Sequence, residues 1–263
     1  MSIMFEHALE AYPQYRPRAL SRDPWVVMFE NFVSDSEAQR LIDLCAGSFE
    51  QSMAGAQKSG HRTSQTCWGS SPEFLHDPIV QAVNQRVAEI TRTPVENSEF
   101  FQVVKYKKGQ FYKMHHDQNS ALYTPQGARM YTFFLYLKTP ASGGATHFND
   151  LDIHVEANRG NAILWPSMLD SDVTLPDLRT HHESLPVLKG VKFAANLWIH
   201  QHDFRTGWLR GCPLASRDSY YPDAQLKFFL RGMKAAGKPV ELPPSMHTFP
   251  RAHDILAAVL AES

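Results

Sequence analysis

An α+β fold built around an antiparallel sandwich or jelly roll is what this sequence predicts, and three observations carry it. Apolar residues recur at helical spacing up to about residue 95, alternate with a period of two from about 99 to 205, and return to helical spacing after about 210. The alternating segments are short, and Gly, Pro or Asn turns separate them. No helical pattern falls between them, which argues against a doubly wound parallel sheet. The layout reads as one domain over 1–263, with a helical support region at about 25–95, a β core at about 99–205 and a helical tail at about 210–263.

The elements follow in order. Residues 1–24 are punctuated by proline and are expected to wrap the surface. "PWVVMFENFVSDSEAQRLIDLCAGS" then reads as strand, turn and helix. Ser34 and Glu37 have the spacing of a capping box, and Ala38, Leu41, Ile42 and Cys45 follow on one helical face. In "HDPIVQAVNQRVAEITRTP" Asp77 is the expected cap and Pro78 opens the first turn, with Ile79, Val83, Val87 and Ile90 on one side. The β segments are "EFFQVVKYKKGQFYKMHHD", "ARMYTFFLYLKT", "LDIHVEAN", "GNAILWP" and "GVKFAANLWIH". Helices return in "PDAQLKFFLRGMKAAGKP" and "RAHDILAAVLAES".

The 263 residues are 43% hydrophobic and 20% charged, an ordinary globular balance. A formal net charge of −1 gives no reason to expect nucleic acid or an anionic membrane as partner. No run approaches the roughly 18 to 20 apolar residues that span a bilayer. The first residues lack the order of a secretory signal, so a cytoplasmic location is expected, with the endoplasmic reticulum as the alternative if an N-terminal segment has been removed. Oligomeric state has no signature here. Cys45, Cys67 and Cys212 are too few and too scattered for a disulfide framework; free thiols are expected, and a single bridge is the alternative. His7, His61, His76, His247 and His253 sit in polar or terminal contexts that suit solvent.

Chemistry concentrates in "YKKGQFYKMHHDQN". Residues two apart on a strand share a face, so His115 and Asp117 present an imidazole and a carboxylate together, while His116 points away. One further histidine would complete the 2-His-1-carboxylate face that suits a first-row metal such as Fe(II) and leaves positions open. "RTHHESLPVLKGVKFAANLWIH" offers His181 and His182 as candidates. The strand after them places Lys192, Ala194, Asn196, Trp198 and His200 on one face. A lysine inside a β core is costly unless it meets an anion. Lys192 therefore reads either as an edge residue in water or as the floor of a pocket for a carboxylate. His147, His154 and His200 read as strand-face residues rather than ligands.

Taken together, these residues resemble a known family. Tyr106, Gly109, Tyr112, His115 and Asp117 fit the order Tyr-x-x-Gly-x-x-Tyr-x-x-His-x-Asp. "ARMYTFFLYL" is similar to an Arg-x-x-Thr-x-x-x-Tyr-Leu strand, and "SGGATHF" to a Gly-Gly-x-Thr turn. "HHESLPVLKGVK" is similar to His-x-x-x-Pro-Val-x-x-Gly-x-Lys, with Trp198 six residues after the lysine. Even "GHRTSQTCW" resembles an Arg-x-Ser loop. Over residues 25–205 the pattern is that of the prolyl 4-hydroxylase family of Fe(II)- and 2-oxoglutarate-dependent dioxygenases. It departs from relatives at Gln118-Asn119, Leu185 and Phe193, none of them a ligand position.

The resemblance implies a double-stranded β-helix (cupin-like) core and an iron held by His115, Asp117 and His182. It implies 2-oxoglutarate as cosubstrate, its far carboxylate on Lys192 with Thr146, and Tyr106 bonded to it; O2 and L-ascorbate complete the set. The implied reaction oxidises 2-oxoglutarate to succinate and CO2 and hydroxylates a C–H bond. A carboxylate ligand at 117 leaves no extra site for a halide, which argues against a halogenase. For the substrate, the resemblance places Tyr112, Arg129 and Trp198 beside a peptide, and aromatic grooves suit stiff proline-rich chains. Core packing is the alternative for Tyr112 and Trp198, a solvated strand end for Arg129. Arg62 and Ser64 read as contacts from a lid, or as a plain surface loop. The expected function is hydroxylation of peptidyl proline in proline-rich or collagen-like sequence. The alternatives are a free-proline or small-molecule hydroxylase closed by the helical tail, a peptide-binding module without turnover, and a metal-binding cupin.

Overall fold

The computed structural model describes residues 1–53, 60–118, 125–210, 222–242 and 251–262. Asn119, Cys212 and His247 lie outside the described residues.

The N-terminal residues do not merely wrap the surface. They form helix α1 (Ser2–Glu10) and strand β1 (Arg18–Arg22), and Met4, Phe5 and Ala8 of α1 enter the core. Strand β2 (Trp25–Phe29) is buried along its length, and α2 (Asp35–Asp43) begins at Ser34, where the expected capping box is complete. After β3 (Glu50–Gln51) comes β4 (Gln65–Trp68), a strand where a loop was expected. The short α3 (Pro72–Leu75) leads to α4 (Pro78–Thr91), capped by Asp77, whose side chain accepts from the backbone N–H of Ile79 and Val80.

The alternating region yields β5 (Gln102–Lys107), β6 (Tyr112–His115), β7 (Arg129–Lys138), β8 (Ser142–Gly143), β9 (Thr146–Phe148) and β10 (Ile153–Val155). It continues with β11 (Ala162–Pro166), β12 (His182–Ser184), β13 (Val187–Lys189) and β14 (Val191–His200). Eight strands form one sheet in the order β1-β2-β11-β7-β14-β5-β4-β3, and four form a second in the order β10-β9-β12-β6. This is the α+β double-stranded β-helix expected.

Alternation along β7 and β14 assigns each face its layer. Phe133, Leu135, Ala195 and Leu197 pack against Phe5, Leu41, Val83, Val87 and Ile90 of the helices. Phe134, Tyr136 and Ala194 point to the opposite face and pack with Trp165, Phe148 and Val155 between the sheets. The helices thus brace the large sheet from outside and leave its inner face to form a cavity with the four-stranded sheet.

Cys45, just past α2, and Cys67, on β4, form a disulfide with their Cα atoms 5.9 Å apart. This overturns the expectation of free thiols. The two are 22 residues apart in sequence, and only the packing of α2 on the sheet makes them neighbours. Beyond the core, α5 (Arg205–Leu209) precedes the tail helices α6 (Pro222–Ala235) and α7 (Ala252–Ala261). Leu226, Leu230, Ile255 and Val259 give these two their own apolar cluster. Lys238 ties the tail to the core through Asp150 (2.7 Å) and the Leu178 carbonyl (2.8 Å).

Candidate active site

Strands β6 and β12 lie side by side, and their register sets His115 directly opposite His182. Their rings are 4.3 Å apart. Asp117, immediately past β6, brings one carboxylate oxygen to 3.7 Å from His115 Nε2 and the other to 3.7 Å from His182 Nε2. Two ligands of a first-row metal bonded at about 2.1 Å sit about 3 to 3.4 Å apart, so small adjustments would converge all three on one ion.

The ring nitrogens that face away are already committed. His115 Nδ1 meets the Lys113 carbonyl at 2.9 Å and His182 Nδ1 the Thr180 carbonyl at 3.0 Å. A nitrogen facing a carbonyl must carry the proton, which leaves the Nε2 lone pair of each ring directed into the cavity. The Thr132 hydroxyl donates to Asp117 Oδ2 at 2.6 Å. Burial pushes the Asp117 carboxyl up, but His182, His115 and Thr132 together hold it at about 2. Burial, with His182 alongside, pushes His115 well below the usual imidazole range. With Asp117 held as a carboxylate and both Nε2 atoms turned to the cavity, the donor set fits a divalent metal.

The neighbouring histidines point elsewhere. His116 Nε2 meets the Asp177 carbonyl (3.0 Å) and the Thr180 hydroxyl (3.1 Å), and burial lowers its pKa to about 3. His181 turns to the Leu178 carbonyl and lies 3.7 Å from Asp150. A single residue separates the inward His182, at the start of β12, from His181 just before it, which faces the other way.

Behind this triad lies Lys192, wholly buried. Its ammonium donates to the Gly144 carbonyl (2.7 Å) and Ser184 Oγ (3.0 Å), and the rings of Tyr106, Phe134 and Tyr136 surround it at 5.2 to 5.7 Å. Among the described residues it makes no salt bridge. Burial drives its pKa down to about 7, against a weaker upward pull from Glu156. A buried cation with no carboxylate in direct contact among the described residues fits an anionic ligand, and the edge-strand alternative falls away. Gly144 has φ of 79°, and a Cβ there would come within 3.3 Å of the lysine's Cδ. Thr146 and Tyr106 line the cavity, and the Tyr136 hydroxyl donates to Thr146 Oγ1 at 2.8 Å.

The cavity holds about 290 Å³, at the small end for ligand pockets. That is room for a small diacid and one side chain, so a longer guest must lie across the mouth. Tyr112 stacks on the His115 ring at 3.6 Å. The Arg62 guanidinium sits 4.6 Å from the Tyr112 ring and donates to Ser64 Oγ and Gln102 Oε1, each at 3.0 Å. Arg62 is 5% exposed and belongs to a wall, not to a lid or surface loop. Ser64 is buried too, bonded to Ser52 Oγ at 2.8 Å, and does not reach the cavity.

Arg129 and Trp198 line the cavity together, the guanidinium 3.9 Å from the indole centre. Arg129 is no solvated strand end. It grips Glu99 through Nε (2.5 Å) and a terminal nitrogen (3.0 Å), and the Asp117 carbonyl at 3.1 Å. Burial raises the Glu99 pKa, but Arg129 and His200 overcome this and hold it at about 2. His200 is bonded to Glu99 at 2.8 Å and to the Gly127 carbonyl at 2.9 Å, so it is a buried structural group rather than a spare strand-face residue. Sequence reading missed Thr132, Trp165 and Trp68. Trp165 stands 4.8 Å from the His182 ring, and Trp68, half exposed, is 6.1 Å from Trp198. Only Thr132 had a signal, as the threonine of the "ARMYT" strand.

Comparison with known proteins agrees with this geometry. A sequence model of the 2OG-Fe(II) oxygenase superfamily matches residues 101–200. Prolyl 4-hydroxylase 1 of Arabidopsis thaliana is 31% identical over 207 residues, covering 71% of this chain and 72% of that protein. Prolyl 4-hydroxylase subunit alpha-2 of Caenorhabditis elegans is 32% identical over 188 residues, covering 68% of this chain and 34% of the subunit. The chain thus spans about a third of the length of the animal subunits it matches. Among solved structures, the viral collagen prolyl hydroxylase of Paramecium Bursaria Chlorella virus-1, in complex with 2OG, aligns with a TM-score of 0.55 and 26% identity. That alignment covers 66% of this chain and 95% of the viral one.

Proposed function

This chain belongs to the prolyl 4-hydroxylase family of 2OG-Fe(II) oxygenases, and from that premise we propose that it is an Fe(II)- and 2-oxoglutarate-dependent dioxygenase that hydroxylates peptidyl proline in proline-rich or collagen-like sequence. The observation that carries this is the pairing of a convergent His115–Asp117–His182 face with a buried Lys192 that makes no salt bridge among the described residues. A cupin that binds only metal has no use for that lysine.

His115, Asp117 and His182 would hold the iron, which with 2-oxoglutarate and O2 would supply oxidation of the cosubstrate to succinate and CO2 and transfer of one oxygen atom to a C–H bond. Lys192 and Ser184 would take the far carboxylate of 2-oxoglutarate, with Thr146 and Tyr106 against its chain. The contact is charge-assisted and shielded from water, so it selects a diacid over a monoacid. Thr132 holds the Asp117 carboxylate in one orientation, and the Lys113 and Thr180 carbonyls fix the imidazole tautomers. Phe134 and Trp165 keep water from the floor.

Tyr112, Trp198 and Trp68 would form the aromatic track for the peptide. Arg62 and Arg129 would stiffen it, Arg62 against Tyr112 and Arg129 beneath Trp198, and Ser64 would act through Arg62. Among the described residues, none from the tail lines the cavity, which favours an open cleft and a peptide over a closed site for free proline. With the tail docked through Lys238, residues 1–263 act as one dioxygenase domain. L-ascorbate as a reductant rests on the family resemblance. Of the two compartments expected, the Cys45–Cys67 bridge supports the oxidising one.

The test is succinate release by the Fe(II)-loaded protein given 2-oxoglutarate and either a proline-rich peptide or free proline, with mass spectrometry on both. Succinate coupled to a gain of one oxygen on peptide proline is the expected result. Turnover with free proline alone would transfer the function to small-molecule hydroxylation, and no coupled turnover with either would overturn the proline assignment.

A further inference from the structure

The hairpin of β9 and β10 holds a second cluster of metal-ligand type outside the cavity. His147 and His154 are direct cross-strand partners, with their rings stacked 3.9 Å apart. Asp152, in the turn between the strands, brings a carboxylate oxygen to 3.7 Å from His147 Nε2. One donor atom from each of the three lies within 4.8 Å of the others.

His147 is prepared as a ligand from behind. Its Nδ1 meets Glu183 Oε1 at 3.1 Å, and the Asn149 amide donates to the same oxygen at 2.8 Å. The ring proton therefore belongs on Nδ1, and Nε2 is left with a lone pair. That nitrogen is buried and has no hydrogen-bond partner among the described residues. An imidazole whose far nitrogen donates to a carboxylate and whose near nitrogen is vacant is the usual state of a metal-bound histidine. The charge balance points the same way. Asp152 and Glu183 place two carboxylates around two imidazoles, and among the described residues neither is paired with Lys or Arg.

We propose that His147, Asp152 and His154 form a second binding site for a divalent transition cation of the zinc class. Two imidazoles and one carboxylate make a borderline-soft donor set that suits zinc and leaves a position for water. The donors must draw together by roughly an ångström to reach bonding distance. His154 and Asp152 are exposed and free to do so, Asp152 with a side chain 92% exposed. Glu183 lies between His182 and Ser184 on β12, opposite His147, so the outer site sits one strand from the candidate iron ligand. The proposal reverses the reading of His147 and His154 as mere strand-face residues, and it does not depend on the catalytic assignment.

Zn(II) serves as the probe. The full chain is dialysed to equilibrium against Zn(II), and bound metal is counted by elemental analysis. Two equivalents are expected. Asp152→Asn and His154→Gln should each remove one equivalent and leave the other, while His115→Ala removes the one they leave. Exposure of both hairpin residues keeps these variants folded, which far-ultraviolet circular dichroism checks. A stoichiometry that neither hairpin variant changes would overturn the proposal, whatever the enzyme assay shows.

Discussion

The four-stranded sheet carries two histidine pairs of the same design, and their surroundings make them opposites. His115 and His182 face each other across β6 and β12, and His147 and His154 across β9 and β10. Each pair has one aspartate near by. In the first, Asp117 is buried and pinned by Thr132; in the second, Asp152 stands on a turn in solvent. Identical donors therefore yield a largely buried face with a pinned carboxylate at one end and an exposed, adjustable one at the other. A preorganised, water-excluded face suits chemistry on a bound substrate, whereas an exposed one suits reversible capture of an ion. The lesson is that residue type defines which metals can bind, while burial and second partners define what the site can do with them.

The largest effect should come from removing a proposed inner ligand. His182→Ala is expected to cost more than about 100-fold in Fe(II) affinity, whereas His181→Ala, one residue away, should leave it within about twofold. Equilibrium dialysis of both variants decides the matter, and the reverse ranking would mean that the inward face of β12 has been misassigned.

Next in size is Lys192. Lys192→Met should weaken 2-oxoglutarate by roughly 100-fold, about 3 kcal/mol, with metal content unchanged. Equal loss of metal would show that the lysine supports the whole site rather than the diacid. The same variant has a pH signature. With Lys192 held at about 7, between there and its ordinary 10.5 the unfolded chain binds a proton that the native chain does not. Native stability without ligand therefore rises with pH across that window, and the full cost of the buried charge is felt below it. Thermal melting against pH should show that rise in the parent protein and a flatter curve in Lys192→Met.

The smallest expected change is Thr132→Val, which removes the 2.6 Å hydrogen bond to Asp117 and nothing that touches the metal. About a tenfold loss of Fe(II) affinity is expected, with the outer pair unaffected. No change at all would show that burial alone preorganises the inner face.

Much of this was legible in the chain. Ser34 with Glu37 and Asp77 with Pro78 announced two helices through local capping chemistry, and both begin where expected. The period of two in "ARMYTFFLYL" separated Phe133 from Phe134, and those residues occupy opposite faces of the large sheet. The N-terminal segment was misread because prolines obscured a short helix whose stability comes from burying Met4, Phe5 and Ala8. Arg62 was taken for a lid or loop residue because nothing local says that "QTCW" adds a strand beside β5.

What the sequence determined by itself is whatever depends on residues close along the chain: the caps, the strand alternation, the spacing of His115 and Asp117, and the face that Lys192 shares with Trp198. The tertiary structure decided what depends on which strands become neighbours. It set His182 opposite His115, as the resemblance implied, buried Lys192, joined Cys45 to Cys67, turned Arg62 into a wall and set His147 against His154. The physical reason is register. A strand's own pattern says which residues share a face, but a partner strand from a distant part of the chain decides what that face meets, and one residue of slip would exchange every choice.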